Sequence, residues 1–122
     1  PGEHGSTFGG NPISCAAANA AIDFIVKKKL MKKVATAGEY LKSSLAKIPG
    51  VTEVRGRGLL LGIVLDSNIA TAVVAKARTR GLLINAPDKD VLRIAPALIV
   101  SKTELREFVK IFRKSLDEVQ NG

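Results

Sequence analysis

Between Ile13 and Val26 the only polar side chains are Ser14, Asn19 and Asp23, and Ala16, Ala17, Ala18, Ala20 and Ala21 make much of the remainder small and apolar. Asn11 can cap a helix and Pro12 is tolerated in a first turn, so a helix is predicted to start there. Being apolar almost all round, it needs cover on several sides. From Leu30 the pattern becomes Leu30, Val34, Ala37, Leu41, Leu45 and Ile48, with lysines between, which marks an amphipathic helix stopped by Pro49-Gly50. Val51 to Arg55 alternates and reads as a strand, Gly56 and Gly58 punctuate a turn, and Leu59 to Leu65 suits a buried strand, together a hairpin. Ile69, Val73 and Ala77 mark a further helix closed by Gly81. Leu82 to Asn85 and Val91 to Ala95 then read as two more strands, the last ended by Pro96. Ser101 and Glu104 have capping-box spacing, followed by Leu105, Phe108, Phe112, Leu116 and Val119 on one helical face. This order predicts an α+β fold, with helices packed on one face of a small, mainly antiparallel sheet.

A chain of 122 residues with 46% apolar and 25% charged residues fits an ordinary globular domain, without repeats or low-complexity segments. The formal charge of +8, concentrated in part at Lys27, Lys28, Lys29, Lys32 and Lys33, would suit an anionic partner. With no Trp, one Tyr and four Phe, however, base-stacking platforms are scarce. No nucleic-acid-binding spacing appears either, so the lysine run reads as a solvated helix face and no nucleic-acid partner is expected. Cys15 is the only cysteine, which excludes an intrachain disulfide. Its alanine neighbours predict a small buried hydrophobe, and a reducing cytoplasm is the expected location. No apolar run approaches the ~18 residues of a membrane span and no signal segment opens the chain, so neither membrane insertion nor secretion is expected. The chain begins at Pro1 in a Pro-Gly-Glu loop without Met, which fits processing or a segment of something longer.

The stretch Gly5-Ser6-Thr7-Phe8-Gly9-Gly10-Asn11 carries the most chemistry. Its three glycines let backbone amides turn toward an anion, and its two hydroxyls can donate beside them. A Gly-rich linker has the same composition. The full string from Gly5 to Pro12, followed by an Ala-rich helix with Cys15, resembles the class III pyridoxal-phosphate-dependent aminotransferases. Val54 to Gly62, Arg80 to Asn85 and Val91 to Leu98 fit the same family, so the resemblance covers nearly the whole chain.

The resemblance implies the small C-terminal domain of a fold-type I aminotransferase. Residues 1–30 would form a cofactor-phosphate loop and inter-domain helix, and residues 31–122 the small α+β domain. In the acetylornithine branch the reaction would pass an amino group from N-acetylornithine to 2-oxoglutarate, in arginine biosynthesis. There Ser6 would contact the amino-acid substrate and Thr7 would bond the cofactor phosphate, both reaching the site of the partner subunit in a homodimer. By the same resemblance Arg93 faces the active site, where its guanidinium fork suits a carboxylate. That carboxylate is either the substrate's or a glutamate of the large domain that gates the site. A surface arginine on an edge strand is the plainer reading.

Transamination needs a Schiff-base lysine, a partner for the pyridinium nitrogen and a cleft for the ring. The resemblance places these mainly in the large domain, with the lysine upstream of Gly5, and no lysine of this chain stands at that position. The lysines from 27 to 33 lie in a charged, hydrated cluster and are poor substitutes. The chain alone is therefore expected to be silent and to hold no pyridoxal phosphate. No catalytic residue is assigned within it. Ornithine, succinylornithine and 4-aminobutyrate aminotransferases share much of the pattern, and a free-standing interaction module of the same fold is the alternative of a different class. Gly56 and Gly58 do not make a dinucleotide fingerprint, since Leu61 occupies the third glycine position. His4 stands alone and defines no metal site, and Asp88 and Asp90 read as turn residues.

Overall fold

A computed structural model describes Gly2 and residues 4–122, so Pro1 and Glu3 of the opening loop lie outside the described residues. The order is α1 (Pro12–Lys27), α2 (Leu30–Leu45), β1 (Val51–Arg57), β2 (Leu60–Leu65), α3 (Ala70–Arg78), β3 (Val91–Ile94) and α4 (Lys102–Asn121). The chain divides into two compact units, Pro1–Met31 and Lys32–Gly122.

In the first unit, Asn11 caps α1 as its position predicts. Its Oδ1 accepts from the Ser14 N–H at 2.9 Å, while its Nδ2 donates to the Phe8 carbonyl at 2.8 Å. Pro12 sits in the first turn, where its missing N–H costs nothing. At the other end Lys29 takes φ 52, a left-handed conformation that breaks the helix before α2 begins. None of the residues of α1 is buried. That corrects the expectation for Cys15, which is exposed. An alanine-rich setting supplies apolar neighbours along the helix, but one helix cannot bury its own side chains.

In the second unit the three strands form one antiparallel sheet in the order β1-β2-β3. Strand period puts alternate residues on opposite faces. Val54, Ile63 and Leu92 therefore align across the sheet on the core face, and Leu61 pairs Ile94 beside them. Leu41, Leu45, Val73, Phe112 and Leu116 from the helices are fully buried against this face, so the helices do pack on one side of the sheet. Phe108 and Phe112 stack with centroids 5.9 Å apart.

The hairpin is tighter than the sequence predicts. Strand β1 continues through Gly56 to Arg57, which pairs Leu60, leaving Gly58 and Leu59 as the turn. Gly56 allows this because it adopts φ 126 with the Leu60 carbonyl 2.2 Å from where a Cβ would stand.

Leu82 to Asn85 is not a strand, and only Asn85 bridges to Arg93. The Leu82 N–H is spent on the Ala77 carbonyl, closing α3, and Pro87 has no N–H to extend a ladder. The capping box of α4 is complete. Ser101 Oγ accepts from the Glu104 N–H at 3.2 Å, and Glu104 Oε2 accepts from the Ser101 N–H at 2.7 Å.

Candidate functional site

The loop from Gly5 to Gly10 reaches α1 through a turn in which Gly10 takes φ 77. A Cβ on Gly9 would stand 3.0 Å from Ser6 Cβ and 3.1 Å from Ser6 Oγ, so glycine keeps the turn closed over Ser6. Both Ser6 and Thr7 are exposed. Among the described residues neither hydroxyl has a hydrogen-bond partner, and the backbone N–H groups of Ser6 to Gly9 donate to no main-chain carbonyl. Two hydroxyls and several free amides make a donor set suited to a phosphate, as a nest of N–H groups is. The fit to pyridoxal phosphate is therefore a fit to its phosphate, through these hydroxyls and amides.

Arg93 lies on β3 in the second unit. The register pairs it with Gly62, which turns both away from the core that Leu92 and Ile94 enter. Asn85 secures it twice. The Arg93 N–H donates to the Asn85 carbonyl at 2.8 Å, and Arg93 Nε donates to Asn85 Oδ1 at 3.2 Å. With Nε occupied by a neutral amide, the edge bearing both Nη atoms keeps its donors for a bidentate acceptor. Among the described residues no carboxylate lies within 4 Å of Arg93.

Glu104 lines the same open depression of about 410 Å³ as Arg93. Its carboxylate is committed elsewhere, because the Ser101 backbone N–H, and then the Ser101 side chain, hold its pKa below the usual carboxylate range. Sequence reasoning missed Asn85, although it ends the quoted Arg80–Asn85 stretch. The signal would have been an amide at a position read as strand, where aspartate and asparagine are disfavoured unless they bond something.

A larger depression of about 750 Å³ lies between Tyr40, Pro49 and the Arg106, Lys110, Arg113 side of α4, and contains none of Ser6, Thr7 or Arg93. Glu118 on α4 accepts from Arg80, which holds its carboxyl below the ordinary range, and lies 3.5 Å from Lys76 Nζ. This trio ties α3 to α4. Asp88 Oδ1 accepts from the Lys89 N–H at 2.7 Å, a turn role. Among the described residues no group of three His, Cys, Asp or Glu could hold a metal, and no helix is long and apolar enough to cross a membrane.

Comparison with known proteins extends these observations. The chain is 40% identical over 119 residues to an acetylornithine aminotransferase of Corynebacterium efficiens, covering 98% of this chain and 29% of that protein. It is 48% identical over 107 residues to ornithine aminotransferase 2 of Staphylococcus saprophyticus, covering 86% of this chain and 27% of that one. The crystal structure of acetylornithine aminotransferase from Elizabethkingia anophelis superposes with a TM-score of 0.83 at 36% identity, over 97% of this chain and 33% of that one. The chain thus spans less than a third of the length of these relatives. The model of the family described as aminotransferase class-III matches residues 1–116, and the chain belongs to the class III aminotransferases, a family of pyridoxal-phosphate enzymes.

Proposed function

We propose that this chain is the C-terminal part of an acetylornithine aminotransferase, in which an amino group passes from N-acetylornithine to 2-oxoglutarate in arginine biosynthesis. The observation that carries the reading is Arg93, whose guanidinium is fixed through Nε by Asn85 and has no carboxylate within 4 Å among the described residues. An exposed, oriented guanidinium of this kind suits a carboxylate brought from outside the chain, as an α-amino acid or a 2-oxo acid brings one. The alternative occupant is a glutamate of the large domain that gates the site.

Pyridoxal phosphate, when bound, supplies the electron sink for the chemistry. The chain's own contribution is positioning. The Thr7 hydroxyl donates to the cofactor phosphate, Ser6 contacts the amino-acid substrate, and both complete the partner's site in a cytoplasmic homodimer. Residues 1–30 serve as the phosphate loop and inter-domain helix, and residues 31–122 as the small domain. Alone, the chain is inactive. None of its lysines is buried, whereas a lysine that reacts with a carbonyl at neutral pH needs desolvation or a neighbouring cation to lower its pKa.

Two measurements test the reading. In the full-length enzyme, kcat/KM for N-acetylornithine should exceed that for ornithine at least about tenfold, ~1.4 kcal/mol of transition-state discrimination. The reverse preference would favour an ornithine aminotransferase, the second reading, which the ornithine aminotransferase relative supports. The 122-residue chain mixed with pyridoxal phosphate should show no absorbance band that saturates at one cofactor per chain. Borohydride trapping on one specific lysine would refute its inactivity toward the cofactor.

A further inference from the structure

We propose that Arg55 is a second anion-binding residue beside Arg93, and that the two arginines, brought to one row of the sheet across Gly62, share a carboxylate. The inference rests on the reading that Arg93 meets a carboxylate from outside the chain.

The sheet register provides the placement. Arg55 on β1 pairs Gly62 on β2, and Gly62 pairs Arg93 on β3. Directly opposed residues in antiparallel strands project from the same face. Val54, Ile63 and Leu92 in the neighbouring row enter the core, so Arg55, Gly62 and Arg93 share the outer face. Asn85 continues this row beyond Arg93 through the isolated bridge. The Arg55 side chain lies against Gly62, with Cγ 3.6 Å and Nε 3.8 Å from where a Gly62 Cβ would stand. Any larger residue at position 62 would stand between the two arginines. Glycine leaves room for the Arg55 side chain to lie over the middle of the row, next to Arg93 in the register.

Among the described residues neither cation has a close carboxylate partner. Arg93 has no carboxylate within 4 Å among the described residues. Among the described residues the one carboxylate near Arg55 is Glu53, at 3.9 Å, with both side chains more than half exposed. An exposed pair at that distance contributes little. Two like charges in one row of the sheet repel one another, and a shared anion relieves this while accepting from both forks. A carboxylate is the anion that an aminotransferase presents here, either from the substrate or from an acidic side chain of the rest of the enzyme.

The test uses the full-length enzyme with 2-oxoglutarate and pyruvate as amino acceptors, and the variants Arg55→Gln, Arg55→Lys, Gly62→Ala and Arg93→Gln. Gly62→Ala should fold, because its new methyl would meet Arg55 only at ordinary contact distances and Gly62 does not need a positive φ. The expected result is a rise of about tenfold in KM for 2-oxoglutarate in Arg55→Gln and Gly62→Ala, with kcat within about twofold and the melting temperature held. Arg55→Lys should recover part of the loss, since it keeps the charge without the fork. An unchanged KM for pyruvate would assign the pair to the distal carboxylate of the substrate. An equal loss with both acceptors would assign it to the carboxylate beside the keto group, which both share, or to a carboxylate of the enzyme itself. Wild-type kinetics in Arg55→Gln alongside an impaired Arg93→Gln would overturn the role of Arg55 alone. Wild-type kinetics in Arg93→Gln would overturn the underlying reading of Arg93 as well.

Discussion

Replacing Gly38 by alanine pits helix propensity against a close backbone approach, and the structure fixes which should win. Gly38 lies within α2, where alanine is favoured over glycine by about 1 kcal/mol. A Cβ there would stand 2.2 Å from the Gly58 carbonyl oxygen, 2.8 Å from its carbon and 3.0 Å from its Cα. Carbon–oxygen contacts settle near ~3.3 to 3.6 Å, so about 1 Å of separation is needed. The obstacle is backbone, and it cannot swing aside as a side chain would. Gly58 is itself pinned at φ 55 in the two-residue turn, with Val34 Cγ1 2.9 Å from its own Cβ position. Relief therefore requires α2 to lift, which loosens Leu41 and Leu45, both fully buried. Overpacking of a core costs ~1 to 3 kcal/mol, and a backbone obstacle places this case near the upper end. After the propensity gain the net loss is about 2 kcal/mol. For a domain of this size that lowers the melting temperature by roughly 8 to 16 °C. Circular dichroism melts and urea titrations of the 122-residue chain would measure it. An alanine variant as stable as the parent, or more stable by the propensity gain, would mean that α2 and the turn do not touch in solution.

Phe112→Ala should cost ~3 to 5 kcal/mol, read by the same urea titration, because the ring is fully buried and stacked on Phe108. Ser101→Ala should cost about 1 kcal/mol through the lost cap of α4. Glu104 has a folded pKa below its unfolded one, so its contribution is complete above the unfolded value and disappears as pH falls through the folded value. Glu104→Gln should accordingly flatten the acid limb of a stability-against-pH curve, and an unchanged limb would count against the box. In the full-length enzyme Thr7→Ala should weaken cofactor retention by about 1.5 to 3 kcal/mol, the range for a hydrogen bond to a charged acceptor. Unaltered cofactor dissociation would leave Thr7 as mere loop. The exposed Ile13, Ile22 and Val26 of α1 should make the 122-residue chain self-associate or exchange amides rapidly from residue 5 to 26. Light scattering and hydrogen exchange that showed a strict monomer with a protected helix would contradict this.

The sequence by itself determined the elements whose causes are local. The Asn11 cap, the Pro49-Gly50 stop, the Gly81 terminator at φ 75 and the capping box of α4 each depend on residues within four positions of one another. Period-3.6 and period-2 patterning likewise announced which faces of α2, α4 and β2 are buried, because a half-buried element must segregate its apolar side. The string from Gly5 to Pro12 carried the resemblance to the family that the comparison shows.

Tertiary structure alone decided the rest. Leu82 to Asn85 has strand composition, yet a strand exists only when a neighbour's N–H and C=O groups are in register, and here the Leu82 N–H closes α3 instead. Cys15 has apolar neighbours in sequence, but burial is a property of what packs over a helix. The row of Arg55, Gly62, Arg93 and Asn85 was invisible for the same reason. Neighbours along it are separated in the chain by between 7 and 31 positions and meet only through the pairing of three strands and one bridge. Spacing along a chain encodes one element's periodicity, whereas a site drawn from several elements is encoded in register, which the folded sheet alone supplies.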